Sequence, residues 1–194
     1  MNPLEITAVL LGIANIVLLI RRSIWNYPVA IVMVLRYFEI FREARLYSDM
    51  GLQVFFVVVN LWGWSAWARA GGMGGPVAVE RMRTGERIGW IAGVVVATAL
   101  WGSAMAQWTD AAAPWWDAAV AMGSVAAQIL LARRKIENWI GWIAVDVLAI
   151  GLYWSRGLEL TAGLYVVFLI LSIVGLFEWQ RSERAVTPTA DIFA

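Results

Sequence analysis

Seven apolar stretches divide this chain: Leu4 to Ile20, Ile24 to Phe41, Gly51 to Trp67, Ile88 to Met105, Trp115 to Ala132, Ile136 to Trp154 and Leu160 to Trp179. Each comes close to the roughly 20 residues that a helix needs to cross a bilayer. Hydrocarbon offers no hydrogen bond to an open backbone, so segments of this kind span it as helices. The composition agrees. With 61% hydrophobic and 15% charged residues, against about 25% charged in a soluble domain, the chain has too little polar surface to face water. The fold these features predict is an all-α integral membrane protein with seven transmembrane helices.

Composition also removes whole classes of function. The 194 residues contain neither cysteine nor histidine, which excludes disulfides, thiolate and imidazole metal sites, cysteine nucleophiles and histidine-dependent triads. The net charge of +1 forms no basic stripe, so nucleic acid is not an expected partner. No Gly-rich Lys motif for phosphate is present, and no nucleophile stands beside a base. No enzyme, cofactor or metal centre is expected. The first apolar stretch lacks a preceding Lys or Arg and a small-residue cleavage pattern, and Arg21 and Arg22 follow it as a stop, so it reads as the first span rather than a signal peptide.

Connections are short except over 70–87, where Gly71, Gly72, Gly74, Gly75 and Pro76 precede Glu80, Arg81, Arg83, Glu86 and Arg87. This segment reads as a flexible cytoplasmic loop between residues 1–69 and a linker span at 88–110. Residues 111–181 then form the second half, and 182–194 an exposed, weakly ordered tail. Arg21, Arg22, Arg69, Arg81, Arg83, Arg87, Arg133, Arg134, Lys135, Arg181 and Arg184 fall on one side of the membrane, and Arg42, Arg45 and Arg156 on the other. Positive residues in short loops stay inside, which places the C-terminus in the cytoplasm and, with seven spans, the N-terminus outside.

Sliding the chain by 112 residues aligns 3–67 with 115–179 without a gap. The register pairs Arg21 with Arg133, Arg22 with Arg134, Asn26 with Asn138, Gly51 with Gly163, Gly63 with Gly175 and Trp67 with Trp179, and it sets Tyr27 against Trp139. Two three-helix repeats follow from this. One linker helix between odd-numbered units makes the second unit enter the membrane in the same direction as the first, so the repeats are expected to be parallel. Transporters built this way hold substrate near the midplane between repeats and alternate access by moving one bundle against the other. The alternative is a duplicated scaffold or receptor without flux.

Polar groups at membrane depth cost free energy unless they face a partner or a pathway. Arg36 and Glu39, three apart on the second helix, can pair along one face. Asp146, mid-way along the sixth, is available to a cationic substrate unless Arg36 neutralises it. Gln53 and Asn60, seven apart, share a face of the third helix. With Gln128 they offer the donors and acceptors that suit amides and ribose hydroxyls, and Tyr37, beside Arg36, joins this set. Asn26 and Asn138 open equivalent helices, where capping competes with a binding role. Of the 13 Trp, Trp25, Trp90, Trp108, Trp115, Trp116 and Trp179 sit at span ends as interfacial anchors. Trp139 and Trp142, with Asp146 four residues further on, line one stripe of a helix. Beside an acid, such a stripe can bracket a flat cationic ring. Trp62, Trp64 and Trp67 can add a wall.

The strings IWNYP (24–28), LYSDMGLQVFF (46–56), GWSAW (63–67), KIENWIGWIAVDV (135–147), GLELTAGLY (157–165) and GLFEW (175–179) are similar to those of the PnuC vitamin transporters, over nearly the whole chain. The resemblance implies a three-plus-one-plus-three fold like that of the SWEET sugar transporters, often trimeric. It also implies facilitated diffusion of nicotinamide riboside across the bacterial inner membrane, made one-way when a cytoplasmic kinase phosphorylates the product. By the same resemblance Trp139 and Trp142 bracket the nicotinamide ring, while Gln128, Asn60 and Gln53 serve its amide and ribose. Tyr27 stands where the family often has Trp. Related members carry thiamine, riboflavin or deoxynucleosides.

Overall fold

The computed structural model describes residues 3–43, 47–109, 113–155, 157 and 159–186. Among these lie seven α-helices: α1 Pro3–Ile20, α2 Asn26–Glu43, α3 Tyr47–Trp67, α4 Thr84–Trp108, α5 Pro114–Ala132, α6 Asn138–Ser155 and α7 Glu159–Val186. The all-helical expectation holds, and the repeat is visible in the boundaries. α2 and α6 begin and end 112 residues apart, α1 and α5 end 112 apart, and α3 and α7 begin 112 apart. Three helices are each long and apolar enough to cross a membrane among the described residues, within Thr84–Trp108, Pro114–Ala132 and Ala162–Ala185. α2, α3 and α6 dilute their apolar character with Arg36, Glu39, Gln53, Asn60, Asn138 and Asp146.

The repeat extends to how the helices stop. Ser23 N–H donates to Leu18 O at 3.0 Å and Arg22 N–H to Leu19 O at 2.8 Å, the pair of bonds of a Schellman closure. Arg22 therefore takes a left-handed φ of 56°, where glycine is usual. α5 closes the same way, with Lys135 N–H on Leu130 O at 2.9 Å and Arg134 at φ 60°. The doubled Arg-Arg of the sequence marks these two turns. α2 then starts with Pro28 in its first turn, where a missing N–H costs no helical bond.

The chain forms two compact units, one running to Ala78 together with Ala132–Arg134, the other holding Val79–Leu131 and the residues from Lys135 onward. In the first, α2 packs on both α1 and α3, around Leu19, Ile24, Tyr27, Ala30, Val34, Val59 and Trp67. A π-type turn, Ala68–Gly72, continues α3 and bends at Gly71, whose φ of 87° suits a residue without Cβ. Beyond it Val77 is buried, and its carbonyl accepts from Arg22 Nη1 at 3.2 Å.

In the second unit α6 packs on α7, and small residues let helices close up. A Cβ on Gly141 would stand 3.0 Å from Ala127 Cβ, which brings α5 against α6. The core is Ala118, Ala127, Leu130, Leu131, Val145, Ala149, Leu152 and Ala162, with Trp139 and Trp179. α4 is different. Ile88, Ile91, Val95, Leu100 and Trp108 are all exposed, and Gly102 is its buried residue, the pattern of a helix bathed in lipid.

Helix ends depart from the sequence expectation by four residues or more at three places, the first being α3, which begins at Tyr47 instead of Gly51. α4 begins at Thr84 rather than Ile88, because Glu86 accepts from the Arg83 N–H at 2.8 Å and closes the first turn. α7 runs on to Val186, through the first residues expected in the tail; the remainder of that tail, 187–194, lies outside the described residues.

Candidate functional site

The sixth helix carries a buried carboxylate and a buried amide. Asp146 is 3% exposed and accepts from Ser172 Oγ on α7 at 3.0 Å, while Ser172 is 4% exposed. An interhelical bond of this sort at membrane depth is worth about 0.6 to 2 kcal/mol. A lone hydroxyl leaves most of a carboxylate's acceptor capacity open. In the repeat register Asp146 stands where the first unit has Val34, and Ser172 where it has Asn60. Sequence reasoning missed Ser172. The signal was its register with Asn60, which a search for identical residues passes over.

Two turns earlier on α6, Asn138 is fully buried and its Nδ2 donates to Lys135 O at 2.6 Å. Asn26 does the same to Ser23 O at 2.6 Å. Neither bond is a cap. In both units the amide donates back to the carbonyl of the preceding turn instead of accepting a helix N–H, so the capping expectation gives way to a turn-stapling role. Among the described residues neither Asn138 Oδ1 nor Trp139 Nε1, both buried, has a hydrogen-bond partner, an acceptor and a donor on consecutive residues. Buried polar atoms are seldom left so, since each costs about 1 to 3 kcal/mol.

The Trp139 ring itself is a packing element. It is 1% exposed and meets Trp179 edge-on with centroids 5.6 Å apart, and a Cβ on Gly175 would fall 2.5 Å from it. Tyr27 repeats this in the first unit, edge-on to Trp67 at 5.2 Å and over Gly63. Trp179 and Trp67 are fully buried, so Trp179 is a core residue and not the interfacial anchor its position at a span end predicted. Trp67 likewise packs instead of walling a site. Trp25, Trp108, Trp115 and Trp116 are exposed as anchors should be. Trp142, half-buried, is the aromatic on α6 beside Asp146 whose ring is not held in this motif.

Gln128 is buried on α5. On α3 in the first unit, Gln53 and Asn60 are both buried, and Asn60 Nδ2 donates to Phe56 O at 2.9 Å. Trp62 on the same helix is 41% exposed, and Tyr37 on α2 is half-buried. Arg36 pairs with Glu39 at 3.3 Å, along one face as their spacing predicted. Thus the second unit brings Asn138, Trp142, Asp146 and Gln128 onto α5 and α6, and the first brings Gln53 and Asn60 onto α3.

Apolar helices with buried amides and a carboxylate at membrane depth fit a membrane transporter for a polar small molecule. The chain belongs to the nicotinamide mononucleotide transporter family, whose model matches residues 2–181. It is 29% identical to the riboflavin/roseoflavin transporter RibM of Streptomyces davaonensis, over 94% of this chain and 87% of that one. It is 24% identical to the nicotinamide riboside transporter PnuC of Escherichia coli, over 93% and 86%. A crystal structure of the vitamin B3 transporter PnuC matches with a TM-score of 0.79 at 25% identity, covering 96% of this chain and 85% of the other. The chain is therefore a PnuC-type vitamin transporter and not an enzyme.

Proposed function

We propose that the chain imports nicotinamide riboside by facilitated diffusion with alternating access, and that intracellular phosphorylation of the substrate makes uptake one-way. The observation that carries this reading is Asp146, a buried carboxylate whose described partner is one serine hydroxyl. Nicotinamide riboside carries a permanent positive charge on a flat ring, and that charge suits an acid at membrane depth. Trp142, one turn before Asp146, supplies a π-face for the ring. Asn138 Oδ1 complements the N–H of a carboxamide, while Trp139, enclosed by Trp179 and Gly175, holds the start of α6 in place. Gln128, Gln53 and Asn60 serve the ribose hydroxyls, with Trp62 and Tyr37 as further contacts. The protein works in the bacterial inner membrane as a trimer, with its C-terminus in the cytoplasm.

The second reading is riboflavin, favoured by the 29% identity to RibM over most of both chains; thiamine is a third candidate of the same family. Calorimetric titration of the purified protein with nicotinamide riboside, riboflavin and thiamine in parallel separates them. Saturable binding of the riboside alone fixes it as the substrate, and binding of riboflavin alone replaces it.

A further inference from the structure

One buried charge has no place in the scheme above. Glu137 precedes α6 by one residue and is 8% exposed, yet in the repeat register its counterpart is Trp25, 64% exposed. The carboxylate is therefore a feature of the second unit alone. It takes four hydrogen bonds from the segment leading into α4. The Met82 N–H donates to both oxygens at 3.1 Å, and Arg87 reaches Oε1 with Nε at 3.0 Å and Nη2 at 2.7 Å. A buried acid satisfied by a guanidinium and a backbone amide is held firmly, because removing its donors strands the carboxylate.

The neighbouring bonds point the same way. Glu80 O accepts from the Ile136 N–H at 2.9 Å, its carboxylate pairs with Lys135 Nζ at 2.9 Å, and Arg81 Nε pairs with Glu183 on α7 at 2.8 Å. At the far end of α4, Trp115 of the second unit lies so close to Gly102 that a Cβ there would fall 2.6 Å from the indole. The long, lipid-exposed α4 is thus fastened at both ends to the second unit. On the other side of the connection, Val77 is held by Arg22 of the first unit.

From this we infer that Glu137 is a positioning residue for transport: it clamps the start of α4 to the start of α6, so that α4 travels with α6. The linker helix is then no free spacer between two equal bundles. This rests on the transporter reading, and the clamp also sets the first turn of α6, from which Asn138, Trp142 and Asp146 extend.

The chain has no cysteine, so labels can be placed without removing native thiols. Spin labels on the exposed Ile91 of α4 and Ile140 of α6 report the clamp directly, by pulsed electron-spin distance measurement in lipid nanodiscs. One narrow distance, unchanged by saturating nicotinamide riboside or riboflavin, is expected, and it should broaden in Glu137→Gln. A distance that shifts with either vitamin, or that stays narrow in the variant, overturns the clamp. In proteoliposomes Glu137→Gln and Arg87→Gln should each slow uptake about tenfold, leave the Kd within about threefold, and lose no more when combined, as residues acting through one contact do. Wild-type uptake in both single variants, additive losses, or a Kd that rises in step with the lost rate also overturns it. Absence of riboside binding by the wild type would sink the substrate reading instead, and the label experiment on the unliganded protein would still decide the clamp.

Discussion

Trp139 stands edge-on to Trp179, with ring centroids 5.6 Å apart and planes at 90°, and Gly175 lies beneath the Trp139 ring. Tyr27, Trp67 and Gly63 repeat the arrangement in the first unit at 5.2 Å and 87°. Both units thus build their second and third helices around one aromatic pair and one glycine. The glycine is required for space, since its φ is ordinary and it is the missing Cβ that admits the ring. Gly175→Ala and Gly63→Ala should each destabilise the detergent-solubilised protein by about 1 to 3 kcal/mol through overpacking. Thermal melting reads this, and an unchanged Tm would show that the ring can move aside.

The two tryptophans of α6 should separate in their effects. Trp142→Ala is expected to weaken substrate binding by about 1 to 3 kcal/mol, the usual worth of an aromatic stacking face, with little change in melting. Trp139→Ala removes a fully buried ring and should cost about 3 to 5 kcal/mol of stability. Calorimetry and melting on both variants check the division; unchanged affinity in Trp142→Ala would discard that residue as the stacking surface.

Asp146→Asn tests the charge. If the carboxylate meets a cationic ring, its loss should weaken nicotinamide riboside by about 2 kcal/mol while leaving any binding of neutral riboflavin nearly unaltered. Equal losses for both vitamins would make Asp146 a structural partner of Ser172. Ser172→Ala distinguishes further. It removes the described donor to Asp146 and should cost about 0.6 to 2 kcal/mol of stability.

The left-handed arginine turns give a test of local conformation. Arg22→Ala keeps a Cβ at φ 56° and loses the bond to Val77 O, whereas Arg22→Gly loses the bond but relieves the backbone. The glycine variant should be the more stable of the two by about 1 to 2 kcal/mol. Equal Tm values would mean that the turn opens in both.

Much of the fold was legible in the sequence because the governing rules are one-dimensional. Helices follow from the length of apolar runs in a solvent that offers no hydrogen bonds. Duplication follows from a register of 112 that needs no coordinates, and it located the turns at Arg22 and Arg134 and the pairs at Gly63 and Gly175. Polar residues at depth were equally visible. Asp146, Gln128, Gln53, Asn60 and Asn138 all proved buried, as their cost in lipid demands of residues kept there.

Tertiary structure decided which face each residue shows. Helical spacing put Trp139 and Trp142 on one stripe, yet their surroundings differ, because Gly175 and Trp179 arrive from another helix to enclose one ring and not the other. Ser172 became a partner of Asp146 across a gap of 26 residues. The segment 70–87 has the composition of a flexible loop, but Glu137, 55 residues beyond Met82, binds its far end. Apolar length and repeat register are properties of a string. A hydrogen bond between residues far apart in the string exists where packing brings a donor within about 3 Å of an acceptor, and packing is a property of the folded chain.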